Sequence, residues 1–221
     1  MIALADAEVT GILHPITVEL TEQRVSVIGG NGSGKSTFLK LLNGLVLPDR
    51  GAVTVDGLDT RREGPRVRKR VGFVFTDPLA QLVMPTVLED MELSLRQTHK
   101  SAEARRVAAL KALEPFGLTG LAERSIYDLS GGERQLLALA VVLATKPSVV
   151  VADEPTTLLD LRNALRIRRV FAELEPRVVF ATHDLDFAQQ SERTLVFEGG
   201  RIVFDGSPHE AISEYRKRCA A

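Results

Sequence analysis

Residues 29–37 read GGNGSGKST, between an apolar run at 24–28 (RVSVI) and a helix-forming stretch, STFLKLLNGL. The pattern G-x-x-x-x-G-K-[ST], set between a strand and a helix, is that of a phosphate-binding loop. Its glycines let backbone N–H groups curl around phosphate oxygens, and the helix N-terminus adds partial positive charge. Gly29, Asn31, Gly32, Ser33, Gly34, Lys35, Ser36 and Thr37 are therefore candidate nucleotide-binding residues. Lys35 is expected to reach the β- and γ-phosphates, and the Ser36 hydroxyl to bind Mg²⁺.

Such a loop belongs at the C-terminal edge of a parallel sheet. Two further apolar runs, 149–152 (VVVA) and 177–181 (RVVFA), read as buried parallel strands, each followed by polar residues. The first leads into VVVADEP, a strand ending in two carboxylates. Asp153 can hold Mg²⁺ through a water, and Glu154, one residue on, points elsewhere and can polarise an attacking water.

The middle of the chain, from about 86 to 144, is mostly helical in pattern. Thr86 and Glu89 form a capping-box pair, and a second helix is expected to stop near Pro115 and Gly117. Segments 51–57 (GAVTVDG) and 194–206 (TLVFEGGRIVFDG) alternate around glycine turns and predict antiparallel strands at the periphery. The net charge of −1 gives no nucleic-acid footprint, and the single cysteine, Cys219, fits a reducing compartment. No secretory signal is read at the N-terminus, and the longest apolar run, 136–144, is too short to span a bilayer. A soluble protein is expected.

Residues 129–133 read LSGGE. Locally this is a capping box, with Ser130 as N-cap and Glu133 three residues on, opening a helix expected over 134–146. A cap does not need two glycines, however. Gly131 and Gly132 expose backbone N–H groups at a helix N-terminus, a second anion site.

With these motifs the chain resembles, over nearly its whole length, the ATPase subunits of ATP-binding cassette (ABC) transporters. The resemblance implies an α/β fold: a P-loop NTPase (RecA-like) core with a parallel sheet, a peripheral antiparallel β subdomain and an inserted helical subdomain. It implies one domain over 1–221, with the core and β subdomain at 1–80 and 146–221 and the helical part at about 82–145. It further implies ATP and Mg²⁺ as cofactors. Lys35, Glu154 and His183 (in ATHD) match catalytic positions, Ser36 and Asp153 the metal site, and Thr157 and Asp160 the D-loop (157–160, TLLD). Ser130, Gly131 and Gly132 match the signature that contacts the γ-phosphate held by a second subunit. Glu133 stands where Gln is commoner.

Two departures stand out. The family's Q-loop glutamine is replaced by Thr76 in VGFVFTDPLAQL, and Gln81 lies five residues later, so either can carry the coupling role. No aromatic residue precedes Phe38 to stack on adenine, so aliphatic contact from about 8–13 is expected. The stretch DPLAQLVMPTVLEDM looks most like energy-coupling factor (ECF) importers of vitamins or transition-metal ions, and the chain end after FDGSPHEAISEY is similar to biotin-importer ATPases. Biotin is therefore favoured, with cobalt or nickel as the ionic alternative. The implied partners are a second ABC ATPase, identical or paralogous, bound head to tail, and integral membrane T and S components. No nucleic acid is implied. The implied location is peripheral, on the cytoplasmic face of the inner membrane. Other readings are a soluble repair or translation ATPase and an ATP-binding scaffold with little hydrolysis. The absence of coiled-coil insertions or a second cassette opposes the former. Intact Asp153, Glu154 and His183 oppose the latter.

Overall fold

The computed structural model describes residues 1–157 and 159–220. Along the chain run β1 (Ile2–Val9), β2 (Leu13–Leu20), β3 (Arg24–Gly29), α1 (Lys35–Leu42), β4 (Arg50–Val55), β5 (Leu58–Asp59), α2 (Gly64–Arg70) and β6 (Val71–Val74). After these come α3 (Val87–Leu95), α4 (Ala102–Leu113), α5 (Gly131–Ala144), β7 (Val149–Asp153), α6 (Leu161–Glu173), β8 (Arg177–Ala181), α7 (Leu185–Ala188), β9 (Arg193–Glu198), β10 (Arg201–Gly206) and α8 (Pro208–Ala220).

The strands form two sheets, one in the order β10-β9-β3-β8-β7-β6 and one in the order β2-β1-β4-β5. In the first, β9, β3, β8, β7 and β6 are mutually parallel and β10 is antiparallel at the edge. The three apolar runs read as buried strands are β3, β7 and β8. Their side chains alternate between two cores, as a pleated strand requires. Val149 and Val151 of β7, with Val179 and Ala181 of β8, face the antiparallel sheet and Phe38 and Leu39 of α1. Val150 and Ala152, with Val178 and Phe180, face the helices, packing with Met91, Leu113, Leu136 and Phe171.

Segment 194–206 departs from expectation. Its second half, β10, is the antiparallel edge strand, but its first half, β9, pairs in parallel with β3 through Gly29↔Phe197. It belongs to the central sheet. Thr194 is buried there, its hydroxyl 2.7 Å from Ser26 Oγ, so a polar pair satisfied inside the sheet replaces the apolar pattern of a core strand. The other hairpin region, β4, lies in the antiparallel sheet as expected.

Between β6 and β7 the chain is helical. Thr86 caps α3, its Oγ1 accepting from Glu89 N–H at 3.3 Å while Glu89 Oε2 accepts from Thr86 N–H at 3.1 Å. After α4 a 3₁₀ turn at Glu114–Phe116 closes on Gly117, whose φ of 64° ends the helical path. No helix among the described residues is long and apolar enough to cross a membrane.

The α1 helix is anchored by Phe38, which is fully buried with its ring 5.0 Å from that of Phe197 on β9. Phe38→Ala is expected to destabilise the fold by about 3–5 kcal/mol, the usual range for truncating a buried aromatic. A urea melt of the variant beside the parent chain measures it.

Candidate functional site: a phosphate cleft beside a separate signature helix

A cleft of about 480 Å³ opens at the C-terminal edge of the parallel sheet. It is lined by Ile12, the loop from Asn31 to Thr37, Thr76, Glu154, Thr157 and His183. The loop leaves β3, turns through Gly34 at φ 104°, and enters α1 at Lys35. It is tied from the far side, where Gly200 N–H donates to Ser33 O at 3.0 Å and His14 N–H donates to Gly200 O at 3.0 Å. The turn between β1 and β2 is thereby held against the loop, with Ile12 on the cleft and 52% exposed. An aliphatic contact for a base from 8–13 thus has a residue.

Lys35 is buried, and its Nζ donates to Gly29 O at 2.9 Å and Gly30 O at 3.0 Å. Burial lowers its pKa, and the charges of Glu154 and Asp153 work against that shift. Gly29 itself lies beneath the cleft, supplying one of these carbonyls. Ser36 Oγ donates to Asp153 Oδ1 at 3.0 Å, bringing together the hydroxyl and carboxylate expected at the metal. Both are hard oxygen donors, and Mg²⁺ is commonly held by one or two carboxylates together with substrate phosphates and water. The residues present therefore fit a magnesium-bound nucleoside triphosphate.

Glu154 follows Asp153 with φ 53°, in the left-handed region. A non-glycine residue held there costs on the order of 1–3 kcal/mol and persists only where its surroundings enforce it. The surroundings are specific. Thr157 Oγ1 donates to Glu154 Oε2 at 3.1 Å, and the His183 backbone N–H donates to the same oxygen at 3.2 Å. The His183 ring Nε2 stands 3.1 Å from Oε1 but off the hydrogen-bonding direction, and Oε1 accepts no hydrogen bond. One oxygen is thus fixed by two donors, and the other is buried against the His183 ring.

The residue after His183 is held by one that the sequence did not single out. Arg168 of α6 pairs with the carboxylate of Asp184 and lies over the Phe187 ring at 5.9 Å. Nothing distinguishes Arg168 in LRNALRIRRVF, where four arginines follow one helical pattern.

Gln81, Ser130, Gly131, Gly132 and Asp160 do not line this cleft. Gln81 Nε2 donates to Ala138 O of α5 at 2.8 Å, while its Oε1 is buried without a partner. Ser130 caps α5 with Glu133, accepting from Glu133 N–H at 3.3 Å. The helix begins at Gly131, earlier than the 134–146 expected, because this cap completes the first turn. The two glycines also differ. Gly131 is exposed, whereas Gly132 is buried, and a Cβ there would stand 2.3 Å from Asn163 Cγ. Gly132 is glycine so that Asn163 can pack. Asn163 is in turn held by Asp160, the N-cap of α6, through its N–H at 2.8 Å and its side-chain amide at 3.0 Å. Leu158, in the middle of the expected D-loop, lies outside the described residues.

The family described as ABC transporter matches residues 13–157. The chain belongs to this family. It is an ABC ATPase, which binds and hydrolyses ATP in the service of transport. It is 42% identical to a biotin transport ATP-binding protein, BioM, of Rhizobium etli, covering 94% of this chain and 92% of that protein. It is 36% identical to an energy-coupling factor transporter ATP-binding protein, EcfA1, of Halalkalibacterium halodurans, covering 98% and 80%. Among solved structures it is similar to a dimeric ATP-binding cassette in a post-hydrolysis state with ADP and Pi, at a TM-score of 0.83, 29% identity and coverage of 94% and 99%.

The ABC signature also carries a pH dependence. Hydrogen bonds from the Ser130 hydroxyl and backbone N–H hold the Glu133 carboxyl below its ordinary value of 4.5. A depressed carboxylate stabilises the fold above its unfolded pKa, and that contribution is lost as pH falls through the folded pKa. Glu133→Gln, which restores the commoner residue, is expected to flatten this acid loss. Denaturant midpoints measured near neutrality and below 4.5 test it.

Proposed function

We propose that this ABC ATPase powers an energy-coupling factor importer, taking up a vitamin, with biotin favoured, or a transition-metal ion such as cobalt or nickel. The observation that carries the mechanism is the composition of the cleft. It holds the P-loop, Glu154 and His183 but none of the signature residues Ser130, Gly131 and Gly132. Each chain therefore offers two half-sites, completed when a second copy or a close paralogue binds head to tail. Its similarity to a dimeric cassette holding ADP and Pi supports that assembly.

In this reading the loop N–H groups and Lys35 hold the β- and γ-phosphates, while Ser36 and Asp153 hold Mg²⁺, which neutralises charge on the phosphates. Glu154, on the cleft, takes the proton from the attacking water. His183 and the partner's signature helix stabilise charge on the departing γ-phosphate. Ile12 contacts adenine, and the D-loop from Thr157 to Asp160 lies at the dimer contact. The helical part, about 82–145, and Gln81 receive membrane-bound T and S components, with the ATPase peripheral on the cytoplasmic face of the inner membrane and no nucleic acid involved. The names borne by its relatives, biotin transport and energy-coupling factor transporter, support the importer class.

Glu154→Gln separates binding from turnover. ATP binding is retained, phosphate release falls by about a hundredfold or more, and dimers accumulate on size-exclusion chromatography with ATP. Normal phosphate release would remove Glu154 from its role. Biotin and cobalt uptake into vesicles carrying the assembled importer distinguishes the substrates.

A further inference from the structure

We infer that Thr76 is a positioning residue for Glu154, acting through the peptide unit that joins Asp153 to Glu154. The inference rests on Glu154 being the hydrolytic base. Strand β6 pairs in parallel with β7 as far as Val74↔Ala152. Two residues further on, Thr76 comes abreast of Glu154, and its hydroxyl replaces the next rung of the ladder. Thr76 Oγ1 donates to Asp153 O at 2.9 Å, and at the other end of the same peptide Glu154 N–H donates to Ala181 O at 3.1 Å. Both polar groups of this peptide are therefore clamped, one from β6 and one from β8.

The clamp sits where strain needs it. Glu154 has φ 53°, and rotation of the preceding peptide is the simplest route to a relaxed backbone. Such a rotation would carry the Glu154 side chain away from Thr157 and His183, which fix its Oε2. A β-branched residue suits the task, because threonine's χ1 is stiff and its hydroxyl sits on Cβ, close to its own backbone. A glutamine at this position, as ABC relatives usually have, carries its polar group two carbons further out. Here the residue has exchanged reach into the cleft for a fixed hold on the catalytic strand end.

The experiment compares T76V, T76S and T76Q with the unmodified chain and E154Q, using the full-length ATPase assembled with its membrane partners. The readouts are kcat, equilibrium ATP affinity and thermal midpoint. T76V keeps the shape and removes the donor. Its kcat is expected to fall about ten- to a hundredfold, since small misplacements of a reacting group cost up to this much, with ATP affinity unchanged. T76S restores turnover, because it keeps the hydroxyl, and T76Q falls with T76V. The inference is overturned if T76V turns over like the unmodified chain, if T76S falls as far as T76V, or if T76Q matches or exceeds the unmodified chain. Unimpaired turnover in E154Q would instead remove the reading on which it rests, and the two failures are distinct.

Discussion

A Cβ on Gly29 would stand 2.3 Å from the carbonyl oxygen of Phe197, so no side chain fits where the phosphate loop begins. This contact governs the rest of the site. Gly29 is still within the sheet, paired with Phe197 of β9, when the chain turns out of it. The Phe197 ring packs on Phe38 of α1, so the strand before the loop and the helix after it lean on the same residue of β9. Lys35 closes the loop on itself through the carbonyls of Gly29 and Gly30. A binding loop built this way is held by two elements of the core, which is what preorganised recognition of a charged ligand requires.

The charges around it are arranged to be exchanged. Asp153 is tied to the Ser36 hydroxyl, and one oxygen of Glu154 to Thr157 and the His183 backbone. Lys35 carries a desolvation penalty that these two carboxylates partly offset. A triphosphate gives Lys35 an anionic acceptor in place of neutral carbonyls, adding a Coulombic attraction to the hydrogen bond. Phosphate binding at this lysine is thus favoured against its contacts within the loop, and the nearby negative charges stay tied to two hydroxyls and a backbone amide.

Where chemistry depends on local spacing, the sequence was legible. GGNGSGKST, the carboxylate pair after β7 and the two capping boxes are each contained in a few residues, and each forms the structure its spacing requires. Features set by distant partners were not legible. Strand β1 is not legible because a bulge between Leu4 and Ala7 breaks the alternation that marks a half-buried strand, whereas β2 alternates plainly over 16–20. Strand β9 reads as peripheral because it runs into a glycine turn, and its place in the central sheet depends on β3, where Ser26, 168 residues away, pairs with the buried Thr194. Gly132 looked like one more exposed amide, while its actual neighbour, Asn163, lies on another helix. Thr76 looked like a lost glutamine, and its partner stands 77 residues further along the chain.

The two half-sites of one chain are joined by contacts of unequal firmness. On one side the start of α6 meets the start of the signature helix where Asn163 packs closely on Gly132, and Asp160 holds Asn163 there by two hydrogen bonds within the first turn of α6. On the other, the segment leaving β6 meets the helical part at several points, among them Asp90 and Gln81. Asp90 of α3 is buried and accepts from the N–H groups of Val83 and Met84, both at 2.9 Å. Gln81 reaches α5 by one hydrogen bond and leaves its Oε1 buried and unpaired, a deficit of about 1–3 kcal/mol for a polar atom. The loop is thus fully satisfied at 83–84 and carries an unpaired side-chain oxygen at 81.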